Sequence, residues 1–186
     1  MRKISTLIFA LLISMQLSAM EIGGIDMPNT MTGEGYTLEL NGAGIRDKFF
    51  MEVYVGGLYL KNKTNNAPDI INANEPMAIR LHITSNIITS KRMRNASIEG
   101  FDNALDGIKD ESLQTKINSF LATYTEKIKK GDIFEMIYTP NKGVDIFKNT
   151  VFITTIDGFS FKKALFGIWL CNTPPQKSLK KGMLGD

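Results

Sequence analysis

The chain has 186 residues, a hydrophobic fraction of 43% and a charged fraction of 22%, which is the composition of an ordinary globular protein. These values exclude a disordered chain, a collagen-like fibre and a membrane protein with several spans. Without its first residues the chain keeps about 165 residues, enough for one domain that buries a core without disulfides or a structural metal.

Residues 1–19 have the pattern of an export signal. Arg2 and Lys3 form a positive start, Ile4–Leu17 is a short apolar segment, and Ser18-Ala19 completes a small-residue cleavage site. We therefore expect a mature protein of residues 20–186 in the periplasm, with no integral membrane span after cleavage. A retained single-pass anchor is the alternative.

Charge and residue usage exclude several further classes. Loss of Arg2 and Lys3 lowers the number of Lys and Arg residues from 22 to 20, against 19 acidic residues, so the mature charge argues against a nucleic-acid partner. Cys171, the single cysteine, is predicted to be buried or a free thiol. The single histidine, His82, excludes a Cys/His metal cluster, and no G-x-S-x-G motif is present. We predict no cofactor and no metal site.

The first half of the chain has the pattern of strands interrupted by a polar loop. Tyr36–Leu40 alternates weakly and meets the glycine-rich segment Asn41–Gly44. A strand over Phe49–Leu60 and a half-buried strand over Met77–Thr84 flank a polar loop, Asn62–Pro76.

The second half predicts helices around an antiparallel meander. The first helix begins near Thr89 or Ser90 and ends near Gly107. The second begins near Asp110 or Ser112 and ends at Gly131, with Lys127, Lys129 and Lys130 in its last turn. The remaining predicted elements are strands Ile133–Thr139, Val144–Phe147 and Val151–Ile156, a helix over Gly158–Leu170 and a short helix over Ser178–Leu184. This order predicts an α+β domain with a mostly antiparallel sheet. The basic runs, including Lys91–Arg94, are interpreted as solvated helix faces.

Arg46 is a candidate ligand-binding residue. It follows Gly42 and Gly44, which permit the close backbone approach that marks a bulge or a bound ligand. Its planar guanidinium can hold a carboxylate through two charge-assisted hydrogen bonds. An ion pair with Asp47 or Glu52 is the structural alternative.

Tyr54 could add a third hydrogen bond to the same ligand. Along one continuous strand, the eight residues from Arg46 to Tyr54 span roughly 27 Å, too far for a shared ligand. A chain reversal near Phe50 would bring the two side chains together. The segment there contains no Gly, Pro or Asn, so periodicity and turn chemistry leave the question open.

Two long motifs resemble a known superfamily. The run LNGAGIRDKFFMEVYVGGLYL resembles the signature of the chalcone isomerase-like superfamily, and the closing run FSFKKALFGIWLCNTPPQKSLKKGMLG resembles its bacterial exported branch. The resemblance covers essentially the whole mature chain. It implies an open-faced β-sandwich, a large antiparallel sheet with helices packed on it and a ligand cleft between. That branch usually reads W-L-G where this chain has Trp169-Leu170-Cys171. Trp169 is interpreted as core packing.

The catalytic residues of the plant enzymes in this superfamily are only partly present. Those enzymes close a flavanone ring from a chalcone, and their arginine and helix asparagine match Arg46 and Asn95. Their strand threonine falls on Tyr54, and their tyrosine before the first helix falls on Ile88. Because Ile88 cannot donate a hydrogen bond, a developing enolate would lack part of its stabilisation.

The fatty-acid-binding relatives match better, since they hold the ligand carboxylate with an arginine and a tyrosine that correspond to Arg46 and Tyr54. The resemblance therefore implies a non-catalytic protein that binds a small apolar ligand with an acidic head through Arg46, Tyr54 and Asn95. A fatty acid is the simplest such ligand, and a tetrapyrrole or quinone would meet the same description.

Two alternatives remain. The first is an isomerase, an intramolecular lyase acting on an unsaturated ketone, in which Thr84, Asn86 or Thr89 supplies the missing polar group. The second is a scaffold for an unidentified protein partner in the cell envelope, with Arg46 paired to a carboxylate and the cleft filled by side chains.

Overall fold

The computed structural model describes residues 19–33 and 35–186, so the predicted export signal lies outside the described residues except for Ala19. The strands are β1 (Ala19–Ile22), β2 (Ile25–Pro28), β3 (Thr30–Gly33), β4 (Tyr36–Lys48), β5 (Met51–Leu60), β6 (Met77–Ile83), β7 (Ile133–Thr139), β8 (Gly143–Lys148) and β9 (Val151–Ile156). The helices are α1 (Ala67–Asn72), α2 (Ser90–Leu105), α3 (Glu111–Leu121), α4 (Phe159–Leu170) and α5 (Lys177–Leu184). In this part of the chain no helix is both long and apolar enough to cross a bilayer.

Strands β3 to β9 form one seven-stranded sheet in which every neighbouring pair is antiparallel and the spatial order follows the chain. The helices pack on one face over the main hydrophobic core. The hairpin of β1 and β2 adds a second, smaller core on the other face, around Met27, Val55 and Tyr59. The predicted α+β class and the open-faced sandwich are therefore confirmed, as is the meander of β7 to β9.

Strand β4 is longer than the sequence predicted, because it continues through the glycines to Lys48. Gly42 and Gly44 do permit a close backbone approach, and the partner is helix α5. A Cβ atom on Gly42 would overlap the carbonyl of Gly182, and one on Gly44 would lie 2.8 Å from the carbonyl oxygen of Leu179. A register shift between Leu40 and Gly42 also places an irregularity at this point of the strand.

The segment predicted as a polar loop, Asn62–Pro76, contains helix α1. Asn66 caps its N-terminus by accepting from the backbone N–H of Asp69, and a proline occupies the first turn. At the other end, the fully buried ammonium of Lys162 donates to the carbonyls of Ile70, Ile71 and Ala73 at 2.7–2.9 Å. A lysine of helix α4 thus holds the end of a six-residue helix.

Helix α3 ends at Leu121, so the prediction that it continues to Gly131 was wrong. The hydroxyl of Thr123 donates to the carbonyl of Phe120, a local bond that competes with the helical ladder. Further on, the backbone N–H of Lys129 donates to the side chain of Asp132. The three lysines of this segment therefore lie in a loop rather than on a helix face.

Candidate functional site

The first feature of the site is the hairpin of β4 and β5. Arg46 and Tyr54 are directly paired across it, so their side chains share the sheet face that carries the helices. The chain reverses through Phe49 and Phe50, which have φ values of +52° and +61°. The structure thus contains the reversal that the sequence left open.

A cavity of about 390 Å³ opens between this hairpin, helix α2 and helix α4. Its apolar wall includes Val53, Ile88, Met93, Ile168 and Trp169. Its polar wall includes Arg46 and Tyr54. The volume lies at the small end of the range of about 300–1,000 Å³ typical of ligand pockets.

Tyr54 presents a neutral hydroxyl to this cavity. Its side chain is buried, and the indole N–H of Trp169 donates to its oxygen at 3.1 Å. Burial raises the pKa of Tyr54 despite the hydrogen bond from Trp169 and the nearby positive charge of Arg46. Because the hydroxyl accepts from Trp169, its own proton is left for an acceptor in the cavity.

Arg46 is held by neutral groups. Its Nη1 donates to the side-chain oxygen of Gln176 at 2.8 Å and to the backbone carbonyl of Asp47 at 2.8 Å. Gln176 also donates to the carboxylate of Asp47, at 3.0 Å, and to the carbonyl of Ile45. Among the described residues, Arg46 therefore has no carboxylate partner that would neutralise its charge. The ion pair with Asp47 or Glu52 considered from the sequence is not formed.

The third predicted ligand-binding residue, Asn95, lies on the exposed part of α2 where that helix lines the cavity. Ile88 lines the cavity from the linker before α2 and is buried. The hydroxyl of Thr89 caps α2 by accepting from the N–H of Arg92, and the side chain of Asn86 accepts from the N–H of Lys130. Neither residue, nor Thr84, lines the cavity.

Further charged groups at the cavity are mostly positive. Lys48 and Arg92 line it together with Arg46, and Glu99 is the acidic residue in the lining. Arg92 donates to the carbonyl of Ile87 at 2.7 Å. Deeper in the wall, Ser97 donates to the hydroxyl of Tyr124, and burial raises the pKa of Tyr124. Ser97 and Tyr124 are both uncharged. The charged groups of the lining are therefore three basic residues and one acidic residue, a balance that favours an anion.

In the described part of the chain, no three His, Cys, Asp or Glu side chains are grouped so that they could hold a metal ion. Cys171, at the end of α4, is half-buried and forms no disulfide with a described residue, and its φ and ψ are −64° and 177°. Helix α4 therefore ends in an extended residue and does not need the glycine that relatives usually carry at this point.

Sequence reasoning missed two residues that shape the site. Trp169 is buried as predicted, but it also lines the cavity and holds the hydroxyl of Tyr54. Gln176 was part of the closing motif, but nothing in its local spacing indicated a bond to Arg46 across 130 residues. The only available signal was the polar character of Gln176 itself, between Pro175 and the last helix.

Comparison with known proteins gives two findings. The family described as chalcone isomerase-like matches residues 19–185. Among solved structures, a fatty-acid binding protein of Arabidopsis thaliana matches with a TM-score of 0.73 at 16% sequence identity, over 90% of this chain and 96% of the Arabidopsis chain. No curated protein matches. At this identity the structural likeness establishes the fold, and the family match confirms the resemblance seen in the sequence motifs.

Proposed function

Because the chain belongs to the chalcone isomerase-like family, we propose that it is a non-catalytic member that binds a small apolar ligand with an acidic head, of fatty-acid type. The observation that carries this proposal is an apolar cavity in which Arg46 and Tyr54 lie side by side. Arg46 supplies a positive charge that no described carboxylate neutralises, and Tyr54 supplies a proton donor. Asn95 contributes a further polar group from helix α2.

The site suits an anion better than it suits catalysis. A charged carboxylate receives strong hydrogen bonds from a guanidinium and a phenol, and the apolar wall accepts a hydrocarbon chain. An isomerase would need a donor near Ile88 for the developing enolate. The three polar residues considered for that task do not line the cavity. A fatty-acid binding protein shares the fold, which adds a precedent for binding.

The scaffold alternative is disfavoured for a different reason. It expected Arg46 to pair with a carboxylate and the cleft to be filled by side chains. The partner of Arg46 is instead Gln176, and the cavity holds about 390 Å³.

The experiment compares a saturated fatty acid with its methyl ester on Arg46→Ala and on Arg94→Ala. Arg94 is an exposed arginine of α2 that does not line the cavity. Loss of a charge-assisted hydrogen bond costs about 1.5–3 kcal/mol, so Arg46→Ala should weaken the acid about tenfold or more by calorimetry. The ester, which carries no charge, should lose much less, and Arg94→Ala should change neither.

Equal losses of affinity for acid and ester in Arg46→Ala would contradict a carboxylate contact. A wild-type protein that binds no fatty acid in the titration would contradict the function itself. Because we also propose that the protein is exported to the periplasm, the protein for this experiment should come from the periplasmic fraction of its host. Intact mass spectrometry under native conditions then gives the mass of the mature chain, and so its first residue, which we propose to be Met20. The same measurement detects any ligand that co-purifies.

A further inference from the structure

The turn between β4 and β5 carries residues that the fold itself does not favour. Both central residues have positive φ, as in the type I′ turns that Asn and Gly normally occupy, yet both are phenylalanine. Phe50 is fully exposed, and Phe49 is 75% exposed. The Phe50 ring therefore gains nothing from packing that would offset the backbone strain. Strain without internal compensation points to a function outside the folded core.

This turn lies at the mouth of the cavity. Phe49 lines the opening together with Lys48, whose ammonium lies 5.7 Å from the Phe49 ring centre. Met51 next to it is also exposed. An apolar projection therefore extends from the rim through which a ligand enters.

The antiparallel topology brings three other segments to the same end of the sheet. We call this end the mouth end, and it comprises the turn 48–51, the linker 84–89 with the first turn of α2, the loop 122–132 and the turn 148–151. Direct contacts join the last three of these segments. The N–H of Lys130 donates to Asn86 at 3.1 Å, and the ammonium of Lys148 donates to the carbonyl of Lys127 at 3.0 Å. Val151, 67% exposed, adds a further apolar residue.

The mouth end is strongly cationic. Its exposed basic residues are Lys48, Lys91, Arg92, Arg94, Lys127, Lys129 and Lys130. Its acidic residues are fewer, and Asp132 and Glu126 both lie near the ammonium of Lys148, at 3.3 Å and 3.5 Å. The two basic runs of the sequence, which were interpreted as solvated helix faces, therefore lie at the same end of the sheet as the exposed phenylalanines.

We propose that the mouth end docks on an anionic phospholipid bilayer, with the Phe49-Phe50 turn inserted among the acyl chains. Exposed aromatic side chains surrounded by lysine and arginine are the chemistry that binds the interface of an anionic membrane. A bilayer suits the geometry better than a peptide does, because the rings project outwards and the cations come from separate segments around them. The apolar ligand then passes between bilayer and cavity without crossing water. This last step rests on the proposed function, whereas the docking surface does not.

The test measures binding of the full mature protein, without added ligand, to vesicles of phosphatidylcholine alone and of phosphatidylcholine mixed with phosphatidylglycerol. Phe50→Gly removes a ring outside the cavity lining and suits the positive φ. We expect vesicle affinity to fall about tenfold or more. The same variant should melt about 2–4 °C higher, because the turn strain is relieved. The double variant Lys129→Glu/Lys130→Glu should also lose about tenfold, and only on the anionic vesicles.

Matched controls lie at the opposite end of the molecule. Helix α2 begins at the mouth end and runs for 16 residues, about 24 Å, to the loop that contains Ile108 and Lys109. Ile108 is 66% exposed, so Ile108→Ser removes a comparable apolar side chain, and Lys109→Glu reverses a comparable charge. Neither control should change vesicle binding.

Three results would overturn the proposal. The first is an absence of binding to the anionic vesicles, and the second is binding that Phe50→Gly leaves intact. The third is a wild-type dimer that Phe50→Gly dissociates, which would assign the mouth end to a second copy of the chain. Fatty-acid affinity in solution is measured separately on Phe50→Gly and should equal that of the wild type. Vesicle binding without any affinity for fatty acids would therefore contradict the proposed ligand and leave the docking surface standing.

Discussion

At the scale of single residues, Asp132 shows how one carboxylate joins several segments. It accepts from the N–H of Lys129 at 2.9 Å and from the amide of Asn149 at 3.0 Å, and the ammonium of Lys148 lies 3.3 Å away. Burial alone would raise the pKa of Asp132, but these hydrogen bonds and the lysine charge outweigh it and lower the pKa. The loop 122–132 is therefore fastened to the turn 148–151 by an ionised group.

A lowered pKa makes this contribution depend on pH. The carboxylate stabilises the fold above the pKa of the unfolded chain, about 4, and this stability is lost as the pH falls through the lower folded value. Asp132→Asn should therefore reduce the free energy of unfolding by about 1–2 kcal/mol at pH 7 and by much less near about pH 2. Urea unfolding across this range measures the difference. Asp26→Asn, on an exposed position of β2, is the control, and an equal deficit for Asp132→Asn at both pH values would refute the argument.

At the scale of secondary-structure elements, the contact between β4 and α5 is made by backbone against backbone. Gly42 of the strand and Gly182 of the helix face each other, and a Cβ atom on Gly182 would lie 2.9 Å from the Cα of Gly44. Only glycine permits this approach. The same contact carries Gln176, just before α5, to Arg46. The position of Arg46 thus depends on a helix that contributes no side chain to the cavity lining.

A methyl group in this contact should be costly. Gly42→Ala would place its Cβ against the Gly182 carbonyl and 2.7 Å from the Gly185 nitrogen, so we expect a loss of about 3 kcal/mol in unfolding free energy. Gly33→Ala, on edge strand β3, is the matched control, since its Cβ would make only an ordinary contact of 3.7 Å with Ile137. The control should change stability by less than about 0.5 kcal/mol. Chemical denaturation of both variants checks this, and similar effects at the two positions would show that the close approach is unimportant.

These elements also show what the sequence could and could not predict. The strands β5 to β9 and helices α2 and α4 follow from alternation, helical spacing and turn residues, which are local signals. The Phe49-Phe50 turn was left open because it breaks the usual turn chemistry. Helix α1 was missed because Lys162, which holds its end, is 89–92 residues away. Family resemblance supplied Arg46 and Tyr54, but their partners Gln176 and Trp169 are tertiary contacts that no local pattern marks.

At the scale of the whole molecule, the cavity limits what can be bound. Its volume of about 390 Å³ is bounded by the sheet on one side and by helices α2 and α4 on the other. In the proposed binding mode Arg46 holds the acidic head, so the hydrocarbon chain would occupy the remaining space. The chain of a longer ligand would have to extend out through the mouth of the cavity.

Affinity should therefore depend on ligand length in a specific way. Each buried methylene contributes about 0.8 kcal/mol, so affinity should rise about fourfold per methylene until the cavity is full and then level off. Calorimetry on a series of saturated fatty acids measures the length at which this happens. Ala96→Leu adds a side chain to the wall and should shift the plateau to a shorter ligand. Binding in this cavity would be contradicted by a wild-type affinity that does not change with ligand length. It would also be contradicted if Ala96→Leu left the length at which affinity levels off unchanged.

The bond between Arg46 and Gln176 also has a consequence for the order of folding. The two residues are 130 positions apart, so the hairpin of β4 and β5 can form from local contacts before the segment that holds Arg46 has docked. Until helix α5 packs against the strand, β4 also lacks the backbone that covers its glycines. Under the proposed function, the binding site is therefore completed last, by the docking of helix α5 and the residue before it.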